Sequence, residues 1–186
     1  MSIDNSESDS LNEARPDRKV TLRPVHHNDV AEETLLLQIY ASSRSEELAL
    51  TNWDESQREI FIRMQFAAQS LHYRSYYPNA EHQFILLDDA PVGRIYIDRR
   101  ASEIRILDIT LLSEYRSLGI GGWLIEELLA EASTTSKTVT IYVDNYNRSQ
   151  RLFSRLGFTI IENDDFNVLM EWRPAKVSID APQTWV

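Results

Sequence analysis

The feature that most constrains this chain is a glycine-rich segment, Asp108-Ile-Thr-Leu-Leu-Ser-Glu-Tyr-Arg-Ser-Leu-Gly-Ile-Gly-Gly-Trp-Leu-Ile125. Its pattern is typical of a strand, a short polar turn and a helix start that contains Gly119, Gly121 and Gly122. Glycines at a helix start let free backbone N–H groups converge on one point, and the helix dipole adds partial positive charge there. The segment therefore predicts an anion site, most naturally for phosphate, with Arg116 as a further donor. The alternative is a plain glycine-rich turn that caps a buried helix.

Two common phosphate-binding motifs do not fit this segment. The dinucleotide-binding pattern G-x-G-x-x-G needs a small residue where Leu124 stands. The P-loop needs lysine followed by serine or threonine, whereas Gly121 is followed by Gly122 and Trp123. The predicted anion site is therefore of another type.

The composition excludes several classes of function. A chain of 186 residues is long enough for one domain with a real core. A net charge of −10 argues against a nucleic-acid or anionic-membrane partner and is compatible with a cationic acceptor. The lack of cysteine rules out disulfides, thiolate metal sites and a cysteine nucleophile. No apolar run approaches the ~20 residues of a membrane span, and the acidic N-terminus is not a signal peptide, so a cytoplasmic location is expected.

The first part of the chain predicts a tail, a strand and helices. Residues 1–18 carry too little apolar surface to order themselves and are expected to form a disordered tail. A short strand over 20–25 precedes a helix over 31–40 that Asp29 caps, and a second short helix is expected over 45–50.

A stronger helix is predicted over 54–73. Asp54 and Gln57 have the spacing of a capping box. The predicted inner face is an apolar stripe of six residues: Ile60, Phe61, Met64, Ala67, Ala68 and Leu71. The aromatic run over 73–77 either packs the helix end onto the sheet or forms a wall of an acceptor pocket.

Three strands follow this helix. The first two, over 83–87 and 92–97, form a hairpin, and Gly93 inside the second indicates a bulge or the close approach of another backbone. In the third strand, over 103–111, apolar residues occupy even positions up to Ile106 and odd positions from Leu107. A β-bulge at this point explains the change of phase and would splay the strand from its neighbour. The alternative is a strand buried on both faces.

The remaining chain predicts a helix over 120–133, a strand over 138–143, a helix and a hairpin. The β-α-β order implies that the strands before and after the first of these helices are parallel. Either Asn145 or Asn147 starts the second helix, and Gly157 is a natural residue to end it. The closing hairpin is expected over 158–172. Residues 175–186 show no clear period, so the ordered domain is expected to span 19–174.

Two motifs together resemble the GNAT superfamily of acetyl-CoA-dependent N-acetyltransferases. Arg116-x-x-Gly119-x-Gly121 is similar to that family's coenzyme A pyrophosphate loop, and the later order of a strand, Asn147 and 156-Leu-Gly-Phe-158 is similar to its C-terminal half. The likeness covers 20–172 and is closest over 108–158. It implies an α/β (α+β) GNAT-like fold, with a central mixed, mostly antiparallel twisted sheet of about seven strands flanked by about four helices.

The resemblance implies how acetyl-CoA binds as a co-substrate. Its pantetheine arm would follow the bulged strand in the gap beside it, and its pyrophosphate would lie on the glycine-rich turn. The cofactor-binding residues implied in this way are Ile109, Leu111, Arg116, Ser117, Leu118, Gly119, Ile120, Gly121, Gly122, Asn147 and Phe153. No metal is expected.

The resemblance also implies that an amine attacks the thioester directly while both substrates are bound. The Leu111 N–H is the candidate donor to the oxyanion, and Asp108 or Glu103 is the candidate base, although either carboxylate could equally be a solvated strand residue or a partner of an arginine. Phe153 stands where family members commonly carry a tyrosine acid. Another hydroxyl such as Tyr142 or Tyr146 could replace that acid, water could do so, or the thiolate could leave unassisted.

Two functions stay open for these residues. The first is an N-acetyltransferase that acts on a primary amine of a small molecule or protein, which the carboxylates favour. The second is a non-catalytic acyl-CoA-binding module or sensor, which Phe153 favours. The segment over 41–77, which would shape the acceptor site, carries no motif. Either a monomer or a homodimer is compatible with the sequence.

Overall fold

The computed structural model describes residues 19–175, which form a seven-stranded sheet with helices on both faces. The strands and helices, in chain order, are β1 Val20–Pro24, α1 Val30–Ala49, α2 Glu55–Tyr76, β2 Glu81–Leu87, β3 Ala90–Arg99, β4 Glu103–Leu111, α3 Ile120–Thr135, β5 Thr138–Asp144, α4 Gln150–Arg155, β6 Thr159–Asn163 and β7 Asn167–Trp172. The predicted fold class is confirmed. The tails predicted over 1–18 and 175–186 lie outside the described residues, except for Ala175.

The sheet order is β1-β2-β3-β4-β5-β7-β6. β4 and β5 are parallel and are connected through α3, as the β-α-β order predicted. The other neighbouring strands are antiparallel. The β2–β3 hairpin turns through Asp88 and Asp89, which adopt φ values of 50° and 66°.

The sheet has a hydrophobic core on each face. Ile106, Ile120 and Phe153 belong to the larger core, which includes residues of α3 and α4. Leu36 and Phe84 belong to a second core beneath α1. Because Phe84 and its neighbour Ile85 lie in different cores, the centre of β2 is buried on both faces. No helix within residues 19–175 has both the length and the apolar character to cross a membrane.

The prediction of two helices over 31–50 was wrong, because α1 is continuous from Val30 to Ala49. Asp29 caps it as expected, accepting from the backbone N–H groups of Ala31 and Glu32. Ser45, at the start of the second predicted helix, instead bonds within α1, because its hydroxyl donates to the Ser42 carbonyl at 3.0 Å. Serine side chains of this kind satisfy local carbonyl groups and do not end the helix.

The predicted inner face of α2 was wrong except for Phe61, which packs against a core cluster, and the capping box at Asp54 and Gln57 is confirmed. The side chains of Ile60, Met64 and Leu71 are 68%, 58% and 64% exposed. The face that packs on the sheet and on α1 instead carries a mixed set: Ile62, Phe66, Gln69 and Tyr73. The sequence of α2 is compatible with either of two inner faces. The face that packs in the structure includes polar side chains, which pair with buried polar groups of the sheet.

Candidate active site

The sheet opens at its centre, between β4 and β5. The pairing of β3 with β4 shifts register between Tyr96 and Ile97, so Leu107 is an extra residue in β4. This is the β-bulge that the change of apolar phase predicted. The parallel pairing with β5 stops at Ile106 and Ile141. Beyond the bulge the two strands are unpaired, which leaves a gap between them.

Backbone N–H groups of β4 line this gap. The Leu112 N–H donates to the Val92 carbonyl at 2.9 Å, towards β3. Alternate residues of an antiparallel strand direct their N–H groups to opposite sides, so those of Ile109 and Leu111 point away from β3 and into the gap. These are the two positions that the resemblance assigns to the pantetheine arm.

Gly93 of β3 lets β4 approach closely beside the gap. A Cβ atom added at Gly93 would lie 2.3 Å from the Thr110 carbonyl oxygen. The predicted close approach of another backbone is therefore confirmed. The β2–β3 pairing also shifts register beside Gly93, between Ile85 and Leu86, so the other predicted feature, a bulge, is present too.

The turn after β4 presents the start of α3. Ser117 and Gly119 adopt left-handed φ values of 60° and 78°. Gly119 is the N-cap of α3 and provides no side-chain cap, and the Trp123 N–H is the donor that reaches the Gly119 carbonyl. The N–H groups of the first turn of α3 therefore lack a side-chain cap at the helix end, which is the arrangement of an anion site.

Arg116 connects this turn to α1. Its Nε donates to the Leu111 carbonyl at 3.0 Å, and its Nη2 donates to the Ser42 carbonyl at 2.8 Å. The Ser42 hydroxyl in turn accepts from the Ser113 N–H at 3.1 Å. In this structure the guanidinium therefore holds the end of β4 against the middle of α1. It lies beside the glycine-rich turn, where it was predicted to contact a bound anion.

Asp108 lies just after the bulge, in an ion pair. Its Oδ2 is 2.6 Å from Arg94 Nε, in a charge contact without the directionality of a good hydrogen bond, and its Oδ1 accepts from the Thr110 hydroxyl at 3.0 Å. The two side chains of the pair are 4% and 17% exposed, so the pair is largely removed from water. The candidate base is thus ion-paired beside the gap.

Glu103, the other candidate base, lies at the start of β4 among donors. One of its oxygens accepts from Arg105 at 3.0 Å and from the Thr140 hydroxyl, and the other accepts from Arg100 at 3.0 Å. Burial alone would raise the pKa of Glu103, but these donors lower it on balance. Within residues 19–175 the His, Asp and Glu side chains form no cluster that could hold a metal ion.

The α4 region holds the predicted asparagine and phenylalanine. The Asn147 side chain accepts from the Ser149 N–H at 2.9 Å, so it stabilises the turn that leads into α4. Phe153 is 1% exposed, and its ring centroid lies 5.2 Å from that of Phe158. Gly157 follows the helix with a φ of 89°, as predicted for its end.

The two candidate tyrosine acids differ in position. Tyr142 is the first residue of β5 beyond its pairing with β4, and the Arg105 guanidinium lies 5.7 Å from its ring centroid. Tyr146 lies in the turn before α4 and is 98% exposed. Of the two, Tyr142 therefore borders the gap through its backbone.

Three further residues shape the site: Tyr73, which belongs to the predicted aromatic run over 73–77, and Arg94 and Gln69, which the sequence did not assign to the site. The Tyr73 hydroxyl donates to the carbonyl of the bulge residue Leu107 at 2.9 Å. Arg94, besides its contact with Asp108, donates through Nη2 to Gln69 Oε1 at 2.7 Å. An arginine within the strongly apolar run of β3 was the available signal, because a buried arginine requires partners.

The fold is that of several solved acetyltransferase structures. The PaiA N-acetyltransferase of Thermoplasma acidophilum, solved in complex with coenzyme A, has a TM-score of 0.62 and 19% identity, over 83% of this chain and 99% of that chain. An acetyltransferase of Thermus thermophilus has a TM-score of 0.59 and 16% identity, over 83% and 96%. The N-acetyltransferase PseH of Campylobacter jejuni, in complex with acetyl coenzyme A, has a TM-score of 0.53 and 15% identity, over 84% and 100%. The chain therefore has the fold of this class of acetyltransferases.

The sequence itself is similar to one acetyltransferase family. Residues 79–160 match the family described as acetyltransferase (GNAT) domain. The resemblance recognised from the two motifs is therefore confirmed over this part of the chain. The matched range includes the whole gap and turn. No curated protein sequence matches the chain.

Proposed function

We propose that this protein transfers an acetyl group from acetyl-CoA to a primary amine, by direct attack while both substrates are bound. The observation that carries the proposal is the junction of two features: a gap lined by the N–H groups of β4, and the uncapped start of α3 at the end of that gap. An extended thioester with an anionic end fits a strand-like gap that leads to an anion site.

The chain's own groups fit such a substrate. The diphosphate would lie on the N–H groups of Ser117 to Gly122, and the pantetheine arm would pair with Ile109 and Leu111. Acetyl-CoA supplies the acyl group and a thiolate leaving group. Arg116 supports both parts, because it bonds the Leu111 carbonyl and starts the turn. The coenzyme A complexes of the structural relatives support this placement.

The N–H groups in the gap also supply electrostatic stabilisation. Negative charge develops on the thioester oxygen as the amine attacks, and a preorganised N–H donor stabilises it. Leu111 was the candidate from the sequence. Ile109 offers a second N–H on the same side and lies two residues nearer the bulge, so both belong to the proposal.

Proton removal from the amine is assigned to Asp108, directly or through a water molecule. Asp108 lies next to the bulge, whereas Glu103 lies at the far end of β4 and carries a lowered pKa. A positioned general base contributes about 10²- to 10⁴-fold. Tyr142 and Tyr146 are the hydroxyls that could protonate the leaving thiolate.

The test is a thiol-release assay with a panel of primary amines, together with calorimetry for acetyl-CoA. Amine-dependent release of free thiol, above the rate of hydrolysis without amine, is the expected result. Comparison of Asp108→Asn with Glu103→Gln tests which carboxylate is the base. Comparison of Tyr142→Phe with Tyr146→Phe tests which hydroxyl protonates the leaving thiolate. Absence of acetyl-CoA binding would refute the proposal.

Phe153 favours a second function, a non-catalytic acyl-CoA-binding module. Its ring is buried against Phe158 and cannot donate a proton. The module is the conclusion if acetyl-CoA binds tightly while no amine in the panel gives thiol release.

A further inference from the structure

A cavity of about 450 Å³ lies between α1 and α2, on the sheet face that these helices cover. His82, Arg94 and Tyr96 of β2 and β3 form its floor, and Phe66 and Tyr73 of α2 form part of its wall. A volume of this size is typical of small-molecule sites, which span about 300–1,000 Å³. None of the residues assigned to acetyl-CoA lines it.

The cavity floor contains hydrogen-bonding atoms that nothing in the described chain satisfies. Both ring nitrogens of His82 are buried and have no hydrogen-bond partner within residues 19–175. Burial, with the charges of Arg94, His27 and Arg74, lowers the pKa of His82 to about 3. The ring is therefore neutral near pH 7 and offers one donor and one acceptor. A buried polar group without a partner destabilises the fold, and an occupant of the cavity that bonds these nitrogens would remove that cost.

The electrostatic environment of His82 favours an anion. Arg94, Arg74 and His27 all lower its pKa, and of these the two arginines carry a permanent positive charge, whereas burial lowers the pKa of His27 itself. Arg94 is already paired with Asp108, whereas Arg74 donates through Nε to the Ser70 carbonyl of its own helix. An anionic group at His82 would therefore meet the positive charge of Arg74.

The other charged groups on the cavity wall do not reverse this preference. Glu33 of α1 raises the pKa of His27, and it is not among the groups that shift His82. Arg63 of α2 lies 2.8 Å from Glu59, so that pair is close to neutral overall. The positive charge is thus concentrated on the side of α2 that carries Arg74.

Aromatic rings form a continuous side of the cavity. The Tyr96 ring centroid lies 4.5 Å from that of His82 and 5.1 Å from that of Tyr73. Aromatic pairs stabilise one another when their centroids lie about 4.5–7 Å apart. A planar aromatic occupant that lies beside these rings would therefore be stabilised in the same way. Tyr73 also donates to the Leu107 carbonyl, so one residue of the cavity wall contacts the bulge directly.

We propose that this cavity is the acceptor pocket and that it takes a small aromatic amine that also carries a carboxylate. The carboxylate would bind the His82 N–H and the Arg74 guanidinium, the aromatic ring would lie beside Tyr96, and the amine would be directed past Tyr73 towards the bulge. The assignment rests on the proposed function. It replaces a purely cationic acceptor, suggested by the net charge, with a zwitterionic one.

Three probes that share one ring test the pocket: L-phenylalanine, 3-phenylpropanoate, which lacks the amine, and phenethylamine, which lacks the carboxylate. Binding is followed on the full chain by the NMR signals of the four histidines, with His82 assigned from His82→Phe. The two carboxylates should shift the His82 signal and raise its pKa. Phenethylamine should bind at least tenfold more weakly.

Variants show whether an effect on binding arises in the pocket or from a general disturbance of the fold. His82→Phe retains an aromatic ring and removes both ring nitrogens, and Arg74→Gln removes the charge. Each should weaken 3-phenylpropanoate at least tenfold, whereas Arg151→Gln, an exposed arginine on α4, should not. All three variants should bind acetyl-CoA like the wild type.

The outcomes distinguish the two proposals. Equal binding of phenethylamine and 3-phenylpropanoate, or unchanged affinity in His82→Phe, overturns the pocket. Phenylalanine that binds but gives no thiol release, when another amine does, overturns its role as the acceptor site. Failure of the wild type to bind acetyl-CoA refutes the proposed function instead, whatever the histidine signals show.

Discussion

The Tyr73 hydroxyl donates to the Leu107 carbonyl at 2.9 Å, so the last turns of α2 are bonded to the bulge of β4. Burial, and then the charge of Asp108, raises the pKa of Tyr73, which keeps the hydroxyl protonated across the physiological range. A bulge leaves backbone groups without ladder partners, and Tyr73 satisfies one of them. α2, which lines the cavity, therefore also fixes β4, which lines the gap.

Replacing Tyr73 by phenylalanine should lower the free energy of unfolding by about 1 kcal/mol, because one buried carbonyl loses its donor. We also expect kcat/KM for the best amine to fall, since the bulge would be less rigid. Urea denaturation and the thiol assay measure the two effects. Tyr76→Phe is the matched control, because Tyr76 is 71% exposed. Equal behaviour of the two variants would contradict a role of Tyr73 at the bulge.

The gap and the turn could be predicted because each leaves a local mark in the sequence. A bulge must change the phase of an alternating strand, and the change between Ile106 and Leu107 placed it correctly. Left-handed residues at a helix start favour glycine, and Gly119 is one. These signals involve only neighbours along the chain.

The polar network could not be predicted because its partners are distant in sequence. Arg94, Gln69 and Asp108 meet only when α2 packs on β3 and β4, and no short-range pattern records that packing. The same cause explains the wrong face of α2. A stripe with Ile60 and Met64 is more apolar than the true inner face, but the inner face carries Gln69, which Arg94 requires.

The glycines of the turn should differ in their tolerance of alanine. Gly119 has a φ of 78°, so Gly119→Ala should cost about 1–2 kcal/mol of strain and weaken acetyl-CoA binding about tenfold. A Cβ at Gly121 would meet Leu152 Cδ2 at 3.9 Å, an ordinary contact directed towards α4. Gly121→Ala should therefore bind acetyl-CoA normally and gain up to about 1 kcal/mol from helix propensity. Calorimetry and thermal melts give both values, and unchanged acetyl-CoA binding in Gly119→Ala would argue against an anion at this turn.

Phe153→Tyr tests whether a lost acid limits turnover. If the position borders the leaving thiolate, as the resemblance implies, the new hydroxyl should raise kcat about 10- to 100-fold. If the hydroxyl instead stays among the core residues around Phe158, the variant should lose about 1–3 kcal/mol of stability with no gain in rate, because a buried hydroxyl would lack a partner. Phe158→Tyr serves as the matched control, since it adds the same group to the neighbouring buried ring. An unchanged kcat in a Phe153→Tyr protein of reduced stability would contradict the position's assignment.

His82 should make the stability of the fold depend on pH. Its pKa is about 3 in the folded protein and near 6.5 in the unfolded chain, so between these values the unfolded chain binds the additional proton. The contribution of His82 is therefore complete above pH 6.5 and is lost as the pH falls towards 3. Since one pKa unit corresponds to about 1.4 kcal/mol, the loss over the whole window is on the order of 5 kcal/mol. His82→Phe cannot be protonated, so its unfolding free energy, measured by urea denaturation from pH 7 to 4, should fall less steeply than that of the wild type. Parallel curves for the two proteins would show that His82 is not held neutral, and would also remove the neutral donor on which the proposed carboxylate contact depends.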